Sequence, residues 1–477
     1  MGSVTNEATD ALKAKASVTN EAIDALKAKI RGAVLKPKDP GFDEARRVWN
    51  ATIDRRPAVI VRCAGTADVI AAVAFARDNG LLLAVRGGGH NIAGSGVCND
   101  GLVVDLSQMK SVRINPATKR AFVEPGATLA DFDHEAQAFG LATPLGINST
   151  TGVAGLTLGG GFGWISRKFG TTVDNLVSAE IITADGNWLR VSAAGEHADL
   201  FWAIRGGGGN FGVVTLFEFQ LHSVGPEIVG GLVVYPLEQA KDVLGKYREL
   251  TANMSDDMTV WVVMRPAPPL PFLPAEVHGK PVIVLAACYV GPAEGATRAI
   301  EPLRHCGTPY GEHLGPMPFV AWQKAFDPLL TPGQRNYWKS HNFIDLKDGL
   351  FDVLIRFAGM LPSPQTEIFI GQMGGQTNRV AADATAYSNR DSNFIMNLHG
   401  RWTDASDDDK CTAWARQLFD AATPFAQGSV YVNFLTQDEG DRVKAAYGPN
   451  YERLARVKTQ YDPQNLFRHN QNIRPSA

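Results

Sequence analysis

Four short glycine runs constrain this chain more than any other feature: residues 86–91 (RGGGHN), 94–96 (GSG), 159–163 (GGGFG) and 205–212 (RGGGGNFG). They carry much of the excess in an unusual total of 48 glycines in 477 residues. Lacking a Cβ, glycine lets backbone come into contact with another segment or a ligand, and successive exposed N–H groups form a nest for anions such as pyrophosphate. One run alone reads as a tight turn. Several, each beside a predicted strand, point to a cofactor site walled by backbone.

Spacing narrows the choice of scaffold. A P-loop needs G-x-x-x-x-G-K-S/T, which is absent. A dinucleotide fingerprint needs G-x-G-x-x-G between a strand and a helix; residues 87–92 (GGGHNI) and 159–164 (GGGFGW) both fail at the last glycine. A nucleotide cofactor on a different scaffold is therefore expected.

The length predicts two or three domains. Lys+Arg at 46 against Asp+Glu at 49 leaves a net charge of −3, which argues against a nucleic-acid partner. Cys63, Cys98, Cys288, Cys306 and Cys411 are scattered without a C-x-x-C pair, so neither a disulfide framework nor a metal site is signalled. No run reaches the ~18 apolar residues of a membrane span, and the N-terminus lacks the apolar core of a secretory signal. A cytoplasmic protein without membrane contact is the expectation. Residues 3–16 (SVTNEATDALKAKA) and 17–30 (SVTNEAIDALKAKI) are a tandem duplication, each copy predicted as a capped helix.

From Arg56 the pattern predicts short strands at 58–63, 81–86, 102–106, 111–114, 120–123, 176–183, 189–192 and 212–221, with helices at 66–78 and 128–139. This is an α+β domain ending near Val224. Residues 228–235, 258–264, 282–289, 367–372 and 394–399 then predict an antiparallel sheet, with helices at 238–253 and 408–421 on one face. Residues 265–274 (RPAPPLPFLP) form a stiff loop.

Six blocks follow one another in order: VRGGGHN (85–91), GLVVDL (101–106), VEPGAT (123–128), TTGVAGLTLGGGFGWISRKFGTTVDNL (150–176), DLFWAIRGGGGNFGVVT (199–215) and YVNF with YGPNYERLARVKTQYDPQNLFRHNQNI (431–434, 447–473). In this the chain resembles the berberine-bridge-enzyme-like branch of the vanillyl-alcohol-oxidase/p-cresol-methylhydroxylase flavoproteins, over about residues 40–475. The resemblance implies an α+β fold: a two-subdomain FAD-binding domain of the p-cresol-methylhydroxylase type at 36–225, and a substrate domain at 226–425 whose antiparallel sheet is flanked by helices. A C-terminal segment at 426–477 returns to the FAD domain, and 1–35 is a helical appendage.

The resemblance also implies an FAD-dependent oxidoreductase. Its pyrophosphate loop would be Arg86, Gly87, Gly88, Gly89 and Asn91, with His90 bonded to the flavin 8α-methyl. Further cofactor contacts fall on Asn148, Thr150, Thr151, Gly152 and Gly155, on Gly159, Gly160 and Asn175, on Gly212, Val213 and Val214, and on Tyr431 and Asn433. Relatives with a second tether carry cysteine where Asn148 stands, so attachment through His90 alone is expected. Tyr431, in the Tyr-x-Asn motif, is the first candidate for the base that removes a substrate proton during hydride transfer. Asn397 stands where relatives place a substrate-facing acid or amide, and His399, on the same strand face, could substitute as a base. Tyr337 and Lys339 are expected to line the pocket. Thr151, small at the position controlling oxygen access, favours an oxidase releasing hydrogen peroxide over a dehydrogenase with another acceptor. A catalytically reduced or redox-neutral flavoprotein is the remaining alternative. The expected partners are O2 and a compact alcohol, sugar or amine, with the chain acting as a monomer or homodimer.

Overall fold

A computed structural model describes residues 18–476. Four strands form the first sheet: β1 (Ala33–Leu35), β2 (Val59–Arg62), β3 (Leu83–Arg86) and β4 (Leu102–Asp105), in the order β1-β2-β4-β3. The parallel trio β2-β4-β3 is largely apolar because both faces are covered, by the helix Thr66–Asp78 on one side and by Phe42, Ala45 and Val97 on the other. The second copy of the duplication forms the helix Asn20–Lys27, capped by the Thr19 side chain. Its Ile23 and Leu26 pack into the same core as Val59, Val69 and Leu102, and β1 extends the sheet. Residues 18–35 are thus built into the first domain rather than appended to it; the first copy lies outside the described residues.

Next come β5 (Val112–Asn115), β6 (Arg120–Val123), β7 (Leu141–Ala142), β8 (Leu176–Ile182), β9 (Trp188–Ser192), β10 (Val213–Gln220) and β11 (His222–Ser223). β7 and β11 pair as a ribbon, and the others form an antiparallel sheet in the order β5-β6-β10-β8-β9. The C-terminal helix Tyr451–Tyr461 joins this sheet's core through Leu454, Val457 and Tyr461.

The middle of the chain forms one antiparallel sheet from β12 (Glu227–Pro236), β13 (Met258–Pro266), β14 (Pro281–Tyr289), β15 (Gly311–Pro318), β16 (Arg335–Phe343), β17 (Glu367–Gln372) and β18 (Phe394–Trp402), in the order β15-β12-β14-β13-β17-β18-β16. Alternation along each strand separates its two faces. Val262, Met264, Ile368 and Leu398 point to the helices Ala240–Ala252, Asp348–Ala358 and Asp408–Ala422, while Trp261, Val263, Phe369 and Ile395 point to the FAD-type domain. Among the described residues no helix is long and apolar enough to cross a membrane, and no cluster of side chains could hold a metal ion.

Candidate active site and cofactor cleft

Where the three sheets meet lies a cleft of about 1930 Å3, its open mouth included. One wall is glycine. Gly87, Gly88 and Gly89 leave the end of β3, and Gly88 meets Gly152; a Cβ on Gly88 would lie 2.4 Å from the Gly152 nitrogen, and one on Gly152 would lie 2.4 Å from the Gly88 nitrogen. Gly155, Gly208, Gly209, Gly212, Val213 and Val214 continue the wall. Gly212 has φ +156°, and a Cβ there would sit 2.4 Å from the Ile182 carbonyl oxygen. A long cleft walled by bare backbone is what an extended dinucleotide requires.

Arg86 also lines the cleft, yet its guanidinium is engaged by the Asp105 carboxylate at 2.7 Å. It pins β3 to β4 and leaves the N–H groups of the loop to face the ligand. The Asn91 side chain accepts from Ser95 N at 3.0 Å and closes the same loop.

His90 follows Gly89, half-buried, with its ring stacked on Trp49 at 5.0 Å. Burial, reinforced by the Arg401 charge, pushes its pKa down to about 3, so the imidazole is neutral at pH 7. Thr150 Oγ1 donates to Asn148 Oδ1 at 2.7 Å, so His90 Nε2, 2.8 Å from Thr150 Oγ1, is the donor to it. That relay leaves the lone pair on Nδ1, beside Thr151 Oγ1 at 3.5 Å. Thr150 and Asn148 therefore orient the histidine, and Asn148 is fixed in turn by the Leu330 carbonyl at 3.0 Å.

Beyond His90 the cleft becomes a chamber closed by a ring of aromatic contacts. Phe162 touches Trp261 at 6.1 Å, Trp261 touches Phe369 at 5.1 Å, and Phe369 touches His399 at 6.0 Å. His399 stacks on Trp338 at 4.6 Å, Trp338 meets Phe434 at 5.8 Å, and Phe434 returns to Phe162 at 5.9 Å. Tyr431 stands inside this ring, 4.9 Å from Phe434 and 5.2 Å from Phe162.

Two polar groups face the chamber. The Tyr431 oxygen accepts from Gly161 N at 3.0 Å and from Asn433 Nδ2 at 2.8 Å, which leaves its own proton to donate. Burial raises its pKa to about 12, against the pull of those two donors. The other group is His399, in a row running across the seven-stranded sheet. β18 places His399 opposite Glu367 of β17 and Trp338 of β16, and the β13–β17 register continues the row to Arg265. Glu367 accepts from His399 Nδ1 at 2.9 Å and from Arg265 Nη1 at 2.6 Å. Burial opposes its ionisation, but Arg265 and the His399 bond outweigh that and pull its pKa down to about 2. An ionised Glu367 holds the proton on Nδ1 and leaves the Nε2 lone pair of His399 for a substrate.

Several expected site residues lie elsewhere. Tyr337 and Lys339 alternate with Trp338 and so point to the helix face: the Tyr337 hydroxyl donates to Asp438 at 2.7 Å, and Lys339 pairs with Glu439 at 3.2 Å. Asn397 shares the face of His399 but is fully buried beside its cross-strand neighbour Phe369, outside the cleft lining. Asn175 braces a loop, donating to the Phe169 and Thr171 carbonyls. Gly159 and Gly160 stand behind the chamber, where a Cβ would strike Asn433 at 2.2 Å and Tyr387 at 2.5 Å. That run positions Tyr431 instead of cradling phosphate. Residue patterns had not singled out Trp49, Trp338, Arg265 or Glu367. Only Glu367 left a signal, as the one carboxylate in the strand EIFIGQ.

The family profiles for the FAD binding domain and for berberine and berberine-like proteins match residues 57–192 and 430–474. The chain is 31% identical to an FAD-linked oxidoreductase of Bacillus subtilis, covering 94% of this chain and 97% of that one. It is also 31% identical to (R)-6-hydroxynicotine oxidase of Paenarthrobacter nicotinovorans, covering 94% and 98%. The crystal structure of 6-hydroxy-D-nicotine oxidase from Arthrobacter nicotinovorans superposes with a TM-score of 0.82 at 28% identity, covering 94% and 98%. A xylooligosaccharide oxidase from Myceliophthora thermophila gives 0.82 at 25%, covering 96% and 100%. With its glycine-walled cleft, its paired matches and full-length relatives, this chain belongs to the berberine-bridge-enzyme-like FAD-linked oxidoreductases.

Proposed function

We propose that this enzyme is an oxidase of a compact, ring-bearing small molecule whose alcohol or amine carbon is oxidised, with O2 as acceptor and FAD tethered through His90. The arrangement carrying this reading is the His399–Glu367–Arg265 row facing an aromatic chamber in the same cleft as His90. Bound flavin supplies the hydride acceptor. His399 Nε2 takes the proton from the substrate O–H or N–H, and Glu367 neutralises the imidazolium that results. Tyr431 donates a hydrogen bond to the same substrate atom and orients it. Neutral His90, with its lone pair on Nδ1, is suited to hold the cofactor through that nitrogen. Asn148, where a cysteine would make a second tether, is committed to orienting Thr150. Thr151 leaves room for oxygen. The aromatic ring of contacts favours an apolar, ring-bearing substrate over an oligosaccharide. Five unpaired cysteines are compatible with a cytoplasmic setting.

The test combines two readings on the purified enzyme. Acid-precipitated protein is expected to stay yellow; colour lost to the supernatant rejects the tether. A panel of cyclic amines, secondary alcohols and sugars, read by anaerobic bleaching of the flavin, identifies the substrate class. Reoxidation by air should then be complete in under a second, and a recovery lasting minutes assigns a different acceptor.

A further inference from the structure

A second cavity, about 860 Å3 with its mouth included, opens on the far side of the Arg265–Glu367–His399 row. Its floor is Arg265 and Arg401, and its rim is the proline-rich turn at Pro268 and Pro269 together with Leu329, Thr331 and Gln365. Leu330, between two of these rim residues, lines the large cleft. The two cavities are thus separated by little more than Glu367 and one loop.

The floor carries a charge imbalance. Arg265 and Arg401 are 7% and 2% exposed, and among the described residues the only carboxylate bonded to either is Glu367. Arg401 makes no ion pair among the described residues. It donates to the Asn336 side chain, the Thr331 carbonyl and the Thr331 hydroxyl, all neutral, and its buried Nε has no hydrogen-bond partner. Burial lowers its pKa to about 10, which still leaves it charged at pH 7. Two guanidiniums against one carboxylate leave a surplus positive charge out of water, a costly arrangement unless a counter-anion joins it. The rim offers no acid to supply one.

We infer that this second cavity binds the carboxylate of a small organic acid on the guanidiniums of Arg265 and Arg401. The planar fork of arginine suits a carboxylate, and the proline rim keeps the mouth open without backbone donors that would compete for it. The anion is either part of the oxidised substrate, reaching past Glu367, or a separate ligand. In both cases its charge adds to that of Glu367 beside His399. The inference stands on the charge balance and needs no turnover, so it can fail while the oxidase reading holds, and the reverse.

Calorimetric titration of the flavin-loaded enzyme with benzoate and with its neutral counterpart benzamide tests it. Benzoate is expected to bind at least ~10-fold more tightly, the minimum for a charge-assisted hydrogen-bonded pair. Arg401→Gln should bring benzoate down to the level of benzamide. Should that variant not fold, Leu329→Trp, which fills the rim and leaves both arginines in place, should block benzoate. Competition between benzoate and substrate places the carboxylate on the substrate, whereas non-competitive behaviour assigns a separate ligand. Equal affinity for acid and amide in the wild type, or benzoate binding unchanged in the variants, overturns the inference.

Discussion

Glu367→Gln removes one charge and keeps the shape of the row. In the wild type the carboxylate sits 2.9 Å from His399 Nδ1 and 2.6 Å from Arg265 Nη1, accepting from both. Gln has one acceptor and one donor end. Arg265 can only donate, so it draws the amide oxygen and turns the NH2 toward His399. Nδ1 must then accept, the ring proton moves to Nε2, and the nitrogen facing the chamber loses its lone pair. The charge acts in the same direction. An imidazolium about 4 Å from a carboxylate gains ~4 kcal/mol at an effective dielectric of ~20, and partial access of the cavity to water halves this. Losing ~2–4 kcal/mol corresponds to ~30- to 1000-fold in rate. Anaerobic stopped-flow bleaching of the flavin at saturating substrate measures this step, with flavin content and the thermal melt checked in parallel. A bleaching rate within ~3-fold of wild type, in a folded and fully flavinylated variant, refutes the role of the row.

Tyr431→Phe removes an oxygen that accepts two N–H groups, so flavin reduction should slow ~10²-fold and the melt should fall by about 1–3 kcal/mol of stability; an unchanged rate takes the phenol out of substrate orientation. Thr150→Val cuts the relay from Asn148 to His90, so the enzyme should fold and bind flavin but form the tether more slowly, seen as weaker in-gel flavin fluorescence at early times. Equal fluorescence at every time point would show that the tautomer is set otherwise. Asp133 is buried with Gln323 Nε2 donating to it at 3.1 Å, and burial raises its pKa to about 7. The folded state therefore holds the Asp133 proton more tightly, a contribution complete below the unfolded pKa of ~3.9 and lost as pH rises to about 7. Asp133→Asn should accordingly raise the melting temperature at pH 8 and do little at pH 4, with at most ~4 kcal/mol at stake; a gain independent of pH contradicts the assignment.

Much of the scaffold could be read along the chain because local signals and tertiary context agree. The run that became β2 is β-branched, that of β3 ends in glycines, and those of the large sheet match the face each strand buries. The cleft was less legible, for two physical reasons. A glycine run announces close approach without saying to what: Gly88 packs on Gly152 in the cleft wall, whereas Gly159 and Gly160 meet the Asn433 and Tyr387 side chains behind the chamber. Strand parity is equally unforgiving, since a one-residue difference moves a side chain to the other face. Tyr337 and Lys339 were therefore on the wrong side, and the intervening Trp338 is the residue that reaches the chamber. Glu367 shows along the chain only as the one carboxylate of its strand, and its role stays hidden there because its partners Arg265 and His399 lie on two other strands.

Those partners show how one buried charge serves both ends of the cleft. Arg401 lies over the Trp49 ring at 5.1 Å, and Trp49 stacks on His90, so guanidinium, indole and imidazole form a column. After burial, the Arg401 charge is the cause that keeps His90 neutral. The same charge also favours ionised Glu367, after the effects of burial, Arg265 and His399. A neutral imidazole where the cofactor attaches and a carboxylate behind the imidazole that takes the proton are opposite requirements on ionisation. A single cation satisfies both because it repels a proton from a base and from an acid alike. The guanidinium thus has a use in the core even without a carboxylate of its own. A counter-acid on Arg401 within the chain would cancel its effect on His90 and Glu367 together, whereas an anion arriving in the second cavity would do so only when a ligand is bound.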